Sequence, residues 1–125
     1  MSRTIMTVDD SPSMRMVVSA TLRKAGYQVV EAVDGRDALA KLDRAVIHMV
    51  LTDLNMPDMN GFELIRRLRA HPSCRFIPIM VVTAEPQAEL KQAGRAAGAT
   101  GWIIKPFKPQ QLLSAVKKVL GSEDL

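Results

Sequence analysis

Five side chains of this sequence could do phosphoryl chemistry together. The carboxylates of Asp9, Asp10 and Asp53, the hydroxyl of Thr83 and the ammonium of Lys105 all sit where a short apolar run stops. Three close carboxylates repel one another, and a fold that gathers them must answer that repulsion. A hard divalent cation such as Mg²⁺ is one answer, since it takes a few oxygen ligands and keeps room for phosphate oxygens. Lys105 is the other, a compact charge that also suits a phosphate oxygen. An aspartyl nucleophile, a metal and cations around the equatorial oxygens are what phosphoryl transfer needs. No one residue carries this reading. The stretch Ile47–Gly61, IHMVLTDLNMPDMNG, reads as a buried strand that ends in a carboxylate at the mouth of a loop. A plain turn aspartate explains Asp53 there equally well. The signal is that four strand ends carry compatible groups in order.

The elements that must position these groups follow from local pattern. Thr4–Val8 reads as strand 1 and stops at Asp9-Asp10. Ser11 is a natural N-cap with Pro12 at the first helical position, and the helix runs to Lys24 before Gly26. Met14, Val17, Val18, Leu22 and Ala25 form its expected apolar stripe. Tyr27, Val29 and Val30 read as strand 2, Asp34-Gly35 as a turn, and Ala38, Leu39 and Leu42 as one face of helix 2. Strand 3 is the apolar run before Asp53. Helix 3 begins near Gly61, turns Phe62, Leu64, Ile65 and Leu68 inward, and ends at His71-Pro72-Ser73.

Ile77–Val82, the most apolar run, reads as a central strand 4 ending at Thr83. Helix 4 is expected from about Pro86 to Ala97, with a thin face of Leu90, Ala93, Ala96 and Ala97 weakened by Gly94. Trp102, Ile103 and Ile104 form a brief strand 5, and Lys105-Pro106-Phe107 a loop. The last helix carries Leu112, Leu113, Val116, Val119 and Leu120 inward, and Gly121–Leu125 is a polar tail. Strand and helix alternate five times with short loops, which implies an α/β fold with a parallel sheet covered on both sides. Ligands of such sheets sit beyond the carboxyl ends of the strands, where strand order reverses.

Composition excludes several classes. A chain of 125 residues suits one domain, here 1–125, with no room for a second. No apolar run approaches the ~18 residues of a membrane span. Cys74 is the only cysteine, so no internal disulfide can form and a cytoplasmic location is expected. The net charge of +4 raises the question of nucleic acid, but the positive residues are scattered. Their densest group, Arg66, Arg67 and Arg69 with Arg75 nearby, has no interleaved aromatic residues and reads as a solvated helix face. Neither a nucleic-acid nor a membrane partner is expected. The methionines at 14, 16, 49, 56, 59 and 80 read as gap fillers or partly exposed packing, not metal ligands, and His48 and His71 as structural or exposed.

The sequence resembles the response-regulator receiver domains of two-component signalling. The matching pieces are VDD at 8–10, TDLNMPDMNG at 52–61, VVTAE at 81–85 and KPF at 105–107, which together span essentially the whole chain. TVDDSPSMR and GATGWIIKPFKPQQL look typical of the single-domain chemotaxis branch. The resemblance implies a flavodoxin-like (βα)5 doubly wound sheet in the order 2-1-3-4-5, an order for which chemotaxis regulators of this family are a standard example.

It also implies roles. Asp53 matches the phosphoacceptor and Asp10 a direct Mg²⁺ ligand, with Asp9 acting partly through water and the backbone carbonyl of Asn55 completing the set. Thr83 matches the switch hydroxyl, Lys105 the phosphate-binding lysine, and Lys105–Pro106 a bond that is usually cis. Trp102 matches the switch aromatic, usually Tyr or Phe. Its larger indole leaves open whether it swings as those rings do or is plain core. Asn55 and Glu85 match positions flanking the attacking water in dephosphorylation.

The function so implied is a phosphorylation-driven switch. It would be monomeric, phosphorylated by a sensor histidine kinase, and would catalyse only its own phosphorylation and dephosphorylation. Its partner, by resemblance a flagellar motor switch protein, would dock on helix 4, strand 5 and helix 5. A phosphorelay shuttle or phosphate sink is the alternative within signalling. A phosphohydrolase resembling the haloacid dehalogenase group would carry Asp-x-Asp after strand 1, whereas here the acids are adjacent. A flavin carrier would want a Ser/Thr/Gly phosphate loop there.

Overall fold

A computed structural model describes residues 2–121; the tail from Ser122 onward lies outside them. The elements are β1 (Thr4–Val8), α1 (Pro12–Lys24), β2 (Gln28–Ala32), α2 (Gly35–Lys41), β3 (Met49–Thr52), α3 (Gly61–Ala70), β4 (Ile79–Thr83), α4 (Ala88–Ala97), β5 (Gly101–Ile104) and α5 (Pro109–Leu120). Short 3-10 turns at Leu42–Arg44 and Pro72–Cys74 follow α2 and α3. All strand pairs are parallel, in the order β2-β1-β3-β4-β5.

Alternation along the strands builds two cores, one on each face of the sheet. Met6, Val8, Val50, Ile79 and Val81 face one side, where they meet Ala38 of α2 and Leu64, Ile65 and Leu68 of α3. Ile5, Met49, Leu51, Met80 and Val82 face the other, against Val18 and Leu22 of α1 and Leu112, Val116 and Leu120 of α5. Both faces are covered, so β3 and β4 read as apolar runs up to their final threonines, and even Thr7 of β1 is buried.

Helix starts follow their caps. Ser11 Oγ accepts from Met14 N with Pro12 next in line, Asp34 accepts from Asp37 N, and Asn60 accepts from Glu63 N. His48 and His71 are structural: each Nδ1 accepts a backbone N–H, from Thr4 and Ser73 respectively.

The structure corrects several expectations. Tyr27 precedes β2 and is buried, while the strand starts at Gln28 and reaches Ala32. The inner stripe of α1 is Val18, Ser19 and Leu22 with Met14 partly buried beside them; Val17 is 49% exposed and Ala25 is an exposed cap. β4 starts at Ile79, because Ile77 and Pro78 still belong to the loop. α4 starts at Ala88, two residues later than its pattern suggests. Its inward face is Leu90, Gly94 and Ala97, whereas Ala93 and Ala96 are exposed. Gly94 is its one buried residue because the Trp102 ring occupies the space beside it: a Cβ there would lie 2.8 Å from Cζ3 of the indole.

Arg69 is the largest departure. It leaves the solvated face and donates to the carbonyls of Cys74 (3.0 Å), Ile77 (2.6 Å) and Gly98 (2.8 and 3.0 Å). It thereby ties the end of α3 to the C-terminus of α4, where a cation is favoured. Arg66 and Arg67 do stay outward, each paired with Glu63.

Candidate functional site

The sheet delivers the site one residue past its own ladders. Asp53 N donates to Val8 O (3.0 Å), Asp9 N to Ala32 O (3.2 Å), and Lys105 N to Thr83 O (2.8 Å). Each functional residue is the first to leave its strand, yet its backbone still makes the last sheet-like bond. Because β1 and β3 are neighbours, Asp9, Asp10 and Asp53 converge, and their nearest ligand atoms all lie within 4.8 Å of one another. β5 brings Lys105 in from the other side of β4.

The carboxylates differ in how they are held. Asp9 is buried; its Oδ1 accepts from Ser11 N (2.9 Å) and its Oδ2 from Lys105 Nζ (2.9 Å). Asp53 has one oxygen on Leu54 N (2.7 Å) and the other 3.3 Å from Lys105 Nζ. Among the described residues the Asp10 carboxylate makes no hydrogen bond or ion pair, and it is exposed. One ammonium therefore bridges two carboxylates while the third points free. Three formal negative charges against one positive leave a local excess that a divalent cation would offset. The donors are all hard oxygens, one of them unencumbered, which fits Mg²⁺ better than a soft metal.

The loop after β3 is shaped by close backbone approach. Leu54, Met56 and Met59 turn inward, Asp58 takes φ 67°, and Gly61 N closes the loop onto Leu54 O (2.8 Å). A Cβ on Gly61 would collide with the carbonyl of Asp53 and would lie 2.9 Å from Leu54 Cα, so the glycine lets α3 start directly against the strand end. Asn55 is exposed on this loop. The peptide Lys105–Pro106 is cis.

Thr83 is fully buried at the end of β4, and its Oγ1 accepts weakly from Glu85 N (3.4 Å). Trp102, half-buried on β5, donates from Nε1 to Glu85 O (2.9 Å) and packs over Gly94. Asp9, Asp10, Asp53 and Lys105 are thus brought into one cluster, with Thr83, Asn55, Glu85 and Trp102 on its β3–β4–β5 flank.

Three contacts lie outside the sequence reading. Arg15 reaches from α1 to the carbonyl of Asp9 (2.6 Å) and to Glu31 of β2 (3.3 Å), and Leu54 N–H orients Asp53. Only the placement of Arg15 one helical turn after the Ser11 cap hints at the first.

The comparisons agree with this geometry. The chain is 42% identical over 123 residues to the chemotaxis protein CheY1 of Helicobacter pylori, covering 96% of this chain and 98% of that one. The crystal structure of the chemotaxis protein CheY4 of Vibrio cholerae superposes with a TM-score of 0.93 at 46% identity, covering 96% of this chain and all of that one. The receiver domain of the sensor histidine kinase PA1611 of Pseudomonas aeruginosa superposes with a TM-score of 0.88 at 30% identity, over 98% of this chain and all of that one; its structure holds a magnesium ion in the active-site cleft. The response regulator receiver domain model matches residues 5–117, and with the ordered carboxylate–lysine cluster above the sheet the chain belongs to the response regulator receiver family of two-component signalling.

Proposed function

We propose that this chain accepts a phosphoryl group from a sensor histidine kinase onto Asp53 and that the acyl phosphate switches its binding to an effector protein. The observation that carries the reading is the Asp9–Asp10–Asp53 cluster bridged by Lys105 above the junction of β1 and β3. The Asp53 oxygen that faces Lys105 forms the new bond to phosphorus as the donor's P–N bond breaks, and the leaving imidazole keeps the electron pair and takes up a proton. Asp10, Asp9, Asp53 and the carbonyl of Asn55 are the residues that would hold Mg²⁺. Bound there, the cation would neutralise charge on the transferring phosphoryl group. Lys105 leaves its carboxylate partners for a phosphate oxygen, and the hydroxyl of Thr83 turns from Glu85 N toward the new anion, a charge-assisted bond.

The catalysis is confined to the chain's own phosphorylation and dephosphorylation. Asn55 and Glu85 border the path of the water that removes the phosphate, and their small or acidic side chains leave it open.

Likeness to chemotaxis proteins supports an effector of the flagellar motor switch, docking on α4, β5 and α5. In the α4–β5 part of that face Trp102 is half-buried, with Lys91 and Arg95 beside it. The test is direct. Acetyl phosphate with Mg²⁺ is expected to add one phosphoryl group to the wild type and none to Asp53→Asn. Full labelling of that variant at another residue would overturn the assignment. Equal binding of the phosphorylated and unphosphorylated chain to a motor-switch protein would instead make it a shuttle or sink.

A further inference from the structure

Among the described residues the Asp10 carboxylate has no partner, so the peptide that carries it is what limits where it can reach. That peptide begins at the carbonyl of Asp9, and the Arg15 guanidinium grips it: Nη1 donates to Asp9 O at 2.6 Å. On its other side Asp9 N–H is tied to Ala32 O, so Asp9 is fixed from both α1 and β2. Arg15 is itself anchored. Its Nε lies 3.3 Å from Glu31 Oε1, its side chain is only 15% exposed, and Glu31 is held through its own carbonyl by Lys41 Nζ at 2.6 Å. The other Glu31 oxygen meets Arg23 at 3.5 Å.

We propose that Arg15 is a positioning residue for the divalent cation: its fork fixes the Asp9–Asp10 peptide and so aims the free Asp10 carboxylate into the site. The inference rests on the reading of Asp9, Asp10 and Asp53 as a Mg²⁺ site. Two effects of Arg15 oppose each other. Its charge repels an incoming cation, and its hydrogen bond orders a ligand. The charge is offset by Glu31, and its remaining effect is weakened by the polar surroundings. The bond to the Asp9 carbonyl is short and charge-assisted. Ordering therefore dominates, and partners that orient metal ligands commonly change affinity 10–100-fold.

The sign of the effect separates the two. Mg²⁺ alone is titrated into the full chain by calorimetry, with Arg15→Ala, Arg15→Gln, Arg15→Lys and Arg15→Met alongside the wild type. Arg15→Ala is expected to bind Mg²⁺ about tenfold more weakly. Arg15→Gln keeps an N–H donor and is expected to recover part of the loss without the charge. Arg15→Lys keeps the charge but cannot span Asp9 and Glu31, and is expected to lie nearer to Arg15→Ala than to wild type. Unchanged or tighter binding in Arg15→Ala overturns the proposal, as does full recovery by Arg15→Lys, which would show that one N–H donor suffices without the fork. If Arg15→Ala does not fold, Arg15→Met carries the test, because it keeps the aliphatic stem and removes the fork, and unchanged affinity there overturns the proposal. Absence of Mg²⁺ binding in the wild type would instead overturn the metal-site reading itself.

Discussion

The corner above β1 and β3 and the flank formed by α4 and β5 are built on opposite plans. At the corner the backbone is tied on every side. Asp9 bonds to Ala32, Ser11, Arg15 and Lys105, Asp53 to Val8, Leu54 and Lys105, and β1 and β3 beneath are buried but for Thr4. On the flank, α4 buries one glycine, and one indole fills the gap with a single N–H bond to Glu85. Arg69 pins the C-terminal end of α4, while its N-terminal end has no side-chain cap bond. A region that must hold reacting atoms benefits from fixed geometry. A region that must change shape is drawn from elements with few buried contacts. Under the proposed function, chemistry belongs at the corner and movement at the N-terminal half of α4.

Two glycines give the sharpest contrast. In Gly61→Ala the new methyl meets the backbone of Asp53 and Leu54, which cannot step aside, so the loss of stability is expected to exceed the ~1–3 kcal/mol of ordinary overpacking. Chemical denaturation would measure it, and phosphorylation of Asp53 by acetyl phosphate should fall with it. A wild-type denaturation midpoint in this variant would show that the corner is softer than its hydrogen bonds suggest.

The next effect belongs to the cation. Mg²⁺ at about 100 times its dissociation constant should stabilise the chain by roughly 2.7 kcal/mol, and Asp10→Ala should remove most of that gain. Melting curves across millimolar Mg²⁺ check this. A flat response in the wild type would leave Lys105 as the whole answer to the clustered carboxylates.

Gly94→Ala should cost less than Gly61→Ala. Its methyl meets the edge of a movable ring, and alanine returns about 1 kcal/mol of helix propensity. A net change within about 1 kcal/mol is expected, together with a more exposed Trp102. If Gly94→Ala proved as damaging as Gly61→Ala, the flank would be as rigid as the corner.

Indole fluorescence should move least. Trp102 is already packed over Gly94 and tethered to the Glu85 carbonyl in the unphosphorylated chain. A phosphoryl group, or beryllofluoride with Mg²⁺, should therefore shield it only slightly more from acrylamide. The change should be absent in Asp53→Asn and reduced in Thr83→Ala. A large gain in shielding would mean that the ring travels a long way after all.

Much of this was legible in the sequence because the signals are local. The alternation of Met6 with Ile5, or of Ile79 with Met80, sorts residues between two sheet faces at a period of two. Ser11-Pro12 announces the start of α1 through a group that bonds its own backbone, and Gly61 marks where α3 begins, whereas the Asn60 cap came from the structure. The order of charged and polar groups at the strand ends already pointed to phosphoryl chemistry. α4 was less legible: its alanines fit several inward faces, and the choice among them was made by Trp102, a residue from the next strand.

The sequence by itself determined the alternation of strands and helices and which side chains end each strand, since these depend on periodicity and on bonds spanning a few residues. Only the tertiary structure decided that Lys105 lies between Asp9 and Asp53, that Asp10 is left free, and that Arg15 and Arg69 reach backbone carbonyls rather than solvent. The physical reason is that every residue carries a carbonyl, so an arginine's choice among them leaves no mark in the sequence. It is fixed by which carbonyls the packed elements leave without a partner within reach of its fork.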